Sequence, residues 1–244
     1  MAISINELAT TYPRLYHITS AGSWAGIQRH GLLSTQALLD LFGIDGEFRE
    51  RILGARRPDS VPIQHPEHGR AIIRDQTPLI ESRLRNVLQD GMTPRDWYTL
   101  LNGKVFFWVA ESRFETLRNA RAYRSLRQTL ISVDCGRLLS RYASRVTLCP
   151  INSGATRPMA WPRGRSSFLP PSEYPFDELR RKRRVKNAVV ELAVDYSVPD
   201  ICDLGISVSE LGGGLPARRI WPGSGEYSPT KKGRCGGLFR AARA

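Results

Sequence analysis

The chain has 244 residues, of which 41% are hydrophobic and 24% are charged, values typical of a soluble globular protein that can bury a sizeable core. No apolar run approaches the roughly 18 to 20 residues that a membrane span needs, and the N-terminus MAISINELATTYPRL lacks the basic-then-apolar pattern of a signal peptide. Its 4 cysteines are widely spaced, without a CxxC pair, which argues against a zinc site and favours reduced thiols. We therefore expect a cytoplasmic protein with no membrane partner and no metal.

The net charge of +13 is concentrated in two segments. Residues 212–244 hold seven basic residues and one acid, whereas 23 basic and 22 acidic residues remain outside the two segments. Such clusters attract polyanions through counterion release, so they predict binding to DNA or RNA. A solvated surface run with a disordered end is the alternative, and charge alone leaves it open. The first segment, with the sequence RRKRRVK, supplies the candidate nucleic-acid-binding residues Arg180, Arg181, Lys182, Arg183, Arg184 and Lys186.

In the N-terminal half, alternation predicts a strand at Leu15–Thr19, and capping residues predict a helix that ends before Gly31. Residues 43–75 contain three prolines and weak patterning, which indicates a long irregular connection. His65 and His68 lie there, but two histidines three residues apart rarely bind a metal without further ligands. Thr-Pro pairs at positions 77–78 and 93–94 predict two helix starts.

In the C-terminal half, the aromatic and β-branched run Val105–Val109 predicts a buried strand. An amphipathic helix follows it and carries Tyr123 at its far end. Residues 150–175, rich in Pro, Gly, Ser and Arg, form a predicted loop. Further strands are predicted at residues 129–133, 145–149, 188–194 and 204–211. Because strands and helices interleave without a βαβ rhythm, we predict an α+β fold with a largely antiparallel sheet, one domain over residues 1–211 and a basic, disordered tail over residues 212–244.

Glu191 is the most informative polar residue, because it interrupts the apolar run AVVELAV. A carboxylate inside an apolar strand costs several kcal/mol unless it has partners or reaches a cleft. Alternation places Val190, Leu192 and Val194 on one apolar face, so the face that carries Glu191 is expected to border a pocket. A solvent-facing glutamate paired with an arginine is the alternative reading.

Two other stretches contain candidate polar and aromatic groups. His17 and Thr19 lie two residues apart on one predicted strand, so they share a face and could hydrogen-bond a sugar or an amide. A half-buried histidine with a backbone partner explains His17 equally well. Tyr123 is an aromatic at a helix end, where a role in the core is common.

Together these stretches resemble the ADP-ribosyltransferase fold. Tyr16-His17-Ile18-Thr19 followed by a helix and Gly31-Leu32-Leu33 resembles the start of DNA-targeting ADP-ribosyltransferase toxins and RNA 2′-phosphotransferases. Val105–Ala110 with its following helix resembles the aromatic strand of the poly(ADP-ribose) polymerase branch, and residues 191–194 resemble the toxin strand that bears the catalytic glutamate. An uncharacterised bacterial family of this fold is similar over most of residues 12–211.

The resemblance implies a split antiparallel sheet and NAD as co-substrate, with the catalytic triad of the polymerase branch at His17, Tyr123 and Glu191. Glu191 would support the oxocarbenium-like transition state, His17 would hold the adenosine ribose, and Tyr123 would stack on nicotinamide. Arg74 could hold a pyrophosphate, unless it forms a surface ion pair with Asp75. The implied cofactor-binding residues are His17, Thr19, Arg74, Phe107, Tyr123, Asn152 and Ser153.

The preferred prediction is an NAD-dependent ADP-ribosyltransferase of toxin or defence type, acting on a macromolecular acceptor, with nucleic acid favoured by charge. An RNA 2′-phosphotransferase, which requires several arginines around one phosphate, is the nearest enzymatic alternative. A non-catalytic nucleic-acid-binding module on the same fold is the alternative from another class. An antitoxin partner is a further possibility that the toxin resemblance raises and the sequence leaves open.

Overall fold

An antiparallel seven-stranded sheet organises the computed structural model, which describes residues 2–212 and 215–222. The described residues also form two two-stranded sheets. The strands, in chain order, are β1 Arg14–Ser20, β2 Leu32–Leu33, β3 Val61–His65, β4 Gly69–Ile73, β5 Lys104–Trp108, β6 Gln128–Asp134, β7 Val146–Cys149, β8 Glu191–Asp195, β9 Ser197–Val198, β10 Gly205–Gly212 and β11 Leu215–Trp221.

Helices lie between the strands in the chain, and those over the described residues are short. They are α1 Ile5–Thr11, α2 Trp24–His30, α3 Thr35–Leu41, α4 Gly46–Gly54, α5 Glu81–Arg85, α6 Pro94–Asn102, α7 Glu111–Asn119, α8 Cys135–Tyr142, α9 Phe176–Arg183 and α10 Ile201–Leu204. None of these helices has the length and apolar character needed to cross a bilayer. The prediction of an α+β fold with a large antiparallel sheet is confirmed.

The strand order of the large sheet is β11-β10-β6-β1-β5-β8-β7. Strands β1 and β6 pair along seven residues, and β5 and β8 pair along five. By contrast, β1 and β5 are joined at a single pair, Tyr16 with Trp108. The sheet therefore consists of a four-stranded part and a three-stranded part that meet at one point.

Alternation along β5 explains how this sheet is packed. Val105 and Phe107 are buried in the main hydrophobic core, together with Leu192 and Val194 of β8. The predicted strand is therefore confirmed, but only one of its faces is fully buried. Its other face carries half-buried side chains, which are those of Lys104, Phe106 and Trp108.

Residues 43–75 differ from the predicted irregular connection. They contain α4 and the β3–β4 hairpin, which pack around a separate apolar cluster that includes Phe42, Ile63 and Ile73. Pro62 masks the strand pattern in the sequence, yet it is tolerated because β3 has only one neighbouring strand. The prediction of a long loop was therefore wrong.

Two predicted helix boundaries also differ. The helix predicted to begin at Thr77-Pro78 begins at Glu81, because the Thr77 N–H donates to the Asp75 carboxylate in a local turn. The helix after β5 ends at Asn119, so Tyr123 lies in the following turn and not at the helix end. In contrast, Thr93 and Pro94 begin α6 as predicted, with a capping box formed by Asp96.

The tail predicted to be disordered from residue 212 is in part ordered. Residues Leu215–Trp221 form β11, which pairs with β10 at the edge of the large sheet. Trp221 packs against the ring of Trp24 with their centroids 5.4 Å apart, which anchors this strand on α2. Residues 223–244 lie outside the described part of the chain.

Candidate functional site

The site begins where β1 and β5 part. If their ladder continued beyond Tyr16 and Trp108, Ile18 would pair with Phe106. Instead, the Phe106 carbonyl receives a hydrogen bond from His17 Nδ1 at 2.9 Å, and the Ile18 carbonyl receives one from Arg74 Nη1 at 3.2 Å. Two side chains thus satisfy backbone carbonyls that a continuous sheet would have paired.

A cavity of about 1250 Å³ lies at this gap. Its volume exceeds the roughly 300 to 1,000 Å³ of sites for drug-sized ligands, so it has room for a dinucleotide. It is lined by two acidic and seven basic side chains, which favours an anionic ligand. The acids are Asp75 and Glu191, and the basic residues are Arg57, Arg74, Arg83, Lys104, Arg113, Arg121 and Arg157.

Glu191 is the first residue of β8 and is only 4% exposed, so the alternative of a solvent-facing glutamate is excluded. It pairs across β5 with Trp108, which places both side chains on the same sheet face at the cavity. Burial raises the pKa of Glu191 to about 7, although hydrogen bonds from Ser153 and the charges of Arg163 and Arg113 oppose that shift. A carboxyl group with such a pKa changes charge near neutral pH, as acid–base and electrostatic catalysts do.

Arg163 holds Glu191 in place indirectly. Its guanidinium is fully buried and donates to the carbonyl oxygens of Ser153, Ala155 and Trp161 at 3.0 to 3.1 Å. The Ser153 N–H then donates to Glu191 Oε2 at 3.2 Å. Arg163 therefore fixes the loop that supplies a hydrogen bond to the carboxylate, a role that the sequence did not reveal because the contacts join loop residues.

His17 and Thr19 both line the cavity, as expected from their shared face. Because a carbonyl only accepts, the His17 Nδ1 carries the proton that binds Phe106, which leaves the Nε2 lone pair as an acceptor. Burial lowers the pKa of His17 to about 4, and the charge of Arg74 adds to that shift, so the imidazole is neutral at pH 7. His17 lies beside the Phe107 ring, with the two ring centres 5.8 Å apart, and Glu191 pairs across the strands with Trp108.

Arg74, Asp75 and Tyr123 form one connected group. The Tyr123 hydroxyl donates to Asp75 Oδ1 at 2.7 Å, and the Arg74 guanidinium lies 5.4 Å from the centre of the Tyr123 ring. The backbone of Arg74 is in turn held by the buried Arg57, which donates to its carbonyl. Asp75 therefore pairs with a phenol and a backbone turn on a half-buried wall, a different arrangement from a surface ion pair with Arg74.

Two predicted aromatic contacts have little free surface. Both line the cavity, but Tyr123 is 4% exposed with its ring next to Arg74, and Phe107 is fully buried in the main core. Phe106 and Trp108, which the sequence analysis did not select, also line the cavity and are half-buried on the other face of β5. Strand alternation could have identified them, since the selected Phe107 points to the opposite face. Asn152 and Ser153 line the cavity as expected.

The basic segment over residues 180–186 is partly neutralised. Arg180 pairs with Asp177 at 2.8 Å, Lys182 pairs with Glu178 at 2.7 Å, and Arg183 donates to the Pro150 carbonyl. Half of the six predicted nucleic-acid contacts therefore have partners within the chain. The other three, Arg181, Arg184 and Lys186, are exposed.

In the comparison with protein families, the chain matches the model of a family of unknown function (DUF7002) over residues 13–204. The chain belongs to this family, and the matched region contains β1, β5 and β8, the strands on which the cavity is built. The comparisons with curated proteins and with solved structures find no match.

The titration of Glu191 predicts how stability depends on pH. Glutamates in the unfolded chain have a pKa near 4.5, so the native state binds the Glu191 proton more tightly than the unfolded state does. Protonated Glu191 therefore contributes to the free energy of unfolding below pH 4.5, and this contribution is lost as the pH rises to 7. Glu191→Gln should therefore gain unfolding free energy relative to the parent across this window, by up to about 3 kcal/mol. Urea unfolding at intervals of half a pH unit measures the difference.

The control is His17→Asn, which keeps a donor for the Phe106 carbonyl. The pKa of His17 is lowered, so its contribution to the free energy of unfolding depends on pH in the opposite direction. The contribution is present above pH 6.5 and is lost as the pH falls to 4. Relative to the parent, His17→Asn should therefore gain stability toward low pH. If the difference between Glu191→Gln and the parent is flat from pH 4.5 to 7, the carboxyl group is not held as described.

Proposed function

We propose that this member of a family of unknown function is an NAD-dependent ADP-ribosyltransferase with the split sheet of that fold. The observation that carries the proposal is that His17, Thr19 and Glu191 line one cavity, at the point where β1 and β5 separate. Membership of this family does not by itself indicate an activity, because the function of the family is unknown. The support comes from the residues, their burial and the charge of the cavity wall.

The reaction breaks the bond between the ribose C1′ and the nicotinamide nitrogen, and nicotinamide leaves with the bonding electron pair. The ribose becomes oxocarbenium-like, and the acceptor's nucleophilic atom forms the new bond to C1′ and loses its proton to a base or to solvent. Ionised Glu191 would hydrogen-bond the nicotinamide-side ribose and stabilise the developing cation. Preorganised charge in a water-poor site is worth a few kcal/mol.

The other residues would orient the dinucleotide. His17 would accept a ribose hydroxyl at Nε2, and Arg74, which lines the cavity, would bind a pyrophosphate oxygen through its guanidinium group. Tyr123 would act by holding Asp75 and Arg74, because its ring is covered. Trp108, which shares a sheet face with Glu191, would then offer the aromatic surface for nicotinamide.

An RNA 2′-phosphotransferase is the second candidate, and the arginines favour it. That reaction also consumes NAD but needs several guanidinium groups around a phosphate, and Arg83, Arg113, Arg121 and Arg157 all line the cavity. Arg83 donates to the Pro158 carbonyl and Arg113 to Asn187, so these two are already positioned by the fold. Release of a cyclic ADP-ribose phosphate from 2′-phosphorylated RNA would assign this activity.

For the transferase, nucleic acid is the acceptor that we propose. The exposed Arg181, Arg184 and Lys186 follow one another at the end of α9 and just beyond it. Arg183 stacks on Trp161, which is 45% exposed, with 5.4 Å between the guanidinium carbon and the ring centre. Basic side chains can contact the phosphates of a nucleic acid while a neighbouring aromatic ring stacks on its bases.

Glu191→Gln tests the chemistry. The substitution keeps the shape and the acceptor for the Ser153 N–H but removes the charge, so nicotinamide release from labelled NAD in the presence of DNA or RNA should fall at least about 100-fold. Glu47→Gln, an exposed glutamate on α4, is the matched control and should keep full activity. Equal labelling of acceptor by Glu191→Gln and the parent would remove Glu191 from the mechanism, and no release with any acceptor would favour the non-catalytic alternative.

Salt dependence tests the acceptor. Binding of a fluorescent single-stranded oligonucleotide should weaken as salt rises, and the variant Arg181→Gln/Arg184→Gln/Lys186→Gln should reduce the slope of log K against log[salt] by about 2 to 3. Arg141→Gln, on α8 and already paired with Asp200 and Asp203, should change the slope little. Affinity that is indifferent to ionic strength would refute the nucleic-acid interface.

A further inference from the structure

Three of the 4 histidines of the chain lie together outside the cavity. His30 is the last residue of α2, His65 is the last residue of β3, and His68 lies in the turn before β4. The ring centres of His65 and His68 are 4.4 Å apart, and those of His30 and His68 are 5.0 Å apart. The cluster therefore joins a helix to the β3–β4 hairpin.

Two imidazole nitrogens in this cluster are buried without a partner among the described residues. They are Nε2 of His30 and Nδ1 of His68, and each belongs to one ring of the edge-to-face pair. Buried polar atoms are normally satisfied, so two orphan lone pairs or protons on adjacent rings call for a shared partner. His65 differs, because its Nδ1 accepts the backbone N–H groups of Glu67 and His68 and so shapes the turn that presents His68.

The separation of the two rings fits a metal ion. With a Zn–N bond of about 2.0 to 2.1 Å along each ring axis and a tetrahedral angle, two imidazole centres lie about 5.2 Å apart. The observed 5.0 Å is close to this value, and the rings are nearly perpendicular, at 89°. Imidazole is also the side-chain ligand that suits zinc, nickel and copper ions.

We propose that His30 and His68 bind a divalent transition-metal ion of the zinc class and thereby clamp the β3–β4 hairpin to α2. No group of three or more His, Cys, Asp or Glu side chains among residues 2–212 and 215–222 is arranged to hold a metal, so the two imidazoles are the proposed protein ligands. With two protein ligands, the site is weaker than a structural zinc site with four.

The surrounding charges are mixed. Arg29 precedes His30 and donates to the Glu67 carbonyl, Arg70 is exposed on β4, and the exposed Glu67 adds an acid next to His68.

The clamp has a consequence for the cavity. β4 runs from the turn that contains His68 directly into Arg74 and Asp75, which line the cavity wall. A metal at His68 would fix one end of the segment whose other end holds the Ile18 carbonyl and the Tyr123 hydroxyl. The sequence pointed only to His65 and His68, because the second proposed ligand, His30, comes from α2, far away along the chain.

Thermal unfolding of the metal-free chain with added Zn²⁺, and separately Ni²⁺, tests the proposal. The melting temperature should rise by several degrees at 100-fold excess over the dissociation constant, since a ligand that binds only the native state stabilises it. His30→Asn and His68→Asn should each abolish the rise, whereas the matched control His17→Asn should keep it. No rise with either ion, or an equal rise in the double variant His30→Asn/His68→Asn, overturns the site.

A second measurement uses the parent chain and does not depend on whether a variant folds. Imidazole nitrogen signals followed by NMR during Zn²⁺ addition should shift for His30 and His68 and stay unchanged for His17. Imidazole shifts confined to His17 or His65, or no shift at His30 and His68, would overturn the assignment.

Discussion

The arrangement of the site depends on one constraint, which is that buried backbone carbonyls must find donors. Strands β1 and β5 stay paired only at Tyr16 and Trp108, so the carbonyls of Ile18 and Phe106 lose their ladder partners. Arg74 and His17 replace those partners with side-chain donors. His17 and Arg74 therefore satisfy the carbonyls at the gap in the sheet and also line the cavity that the gap opens. The same two side chains thus serve both the fold and the candidate site.

Glu191 is the second constraint and acts against stability. A carboxyl group that is 4% exposed is retained at the edge of a strand whose other residues are apolar, and its pKa is raised to about 7 by that burial. The fold compensates through the Ser153 N–H and through Arg163, itself buried and satisfied by three carbonyl oxygens. Polar groups held at such a cost are typical of functional sites and uncommon in parts of a core that serve only packing.

The sequence predicted the parts of this arrangement that depend on local pattern. Period-two alternation located β1, β5 and the strand with Glu191, and it placed Glu191 on a face bordering a cavity. Alternation did not predict features that depend on contacts between residues far apart in the sequence. The hydroxyl of Tyr123 is bound by Asp75, 48 residues away, which buries a ring that the sequence offered as a free platform.

Other errors have local causes that the sequence could have revealed. Glu178 and Lys182 are four residues apart on one helix, a spacing that predicts their ion pair and a weaker basic patch. Phe107 was preferred over Phe106 and Trp108, although alternation assigns the latter two to the face of Glu191. The hairpin over residues 61–73 was masked by its prolines, and Arg163 by the irregular loop around it.

Calorimetric titration of the chain with NAD tests most directly whether this cavity is a dinucleotide site. Saturable binding to one site is expected, weakened about tenfold or more by Arg74→Gln, which removes a charge that lines the cavity. No heat of binding up to millimolar NAD, or an affinity equal in the parent and Arg74→Gln, would contradict the assignment of the gap between β1 and β5 as the site for NAD.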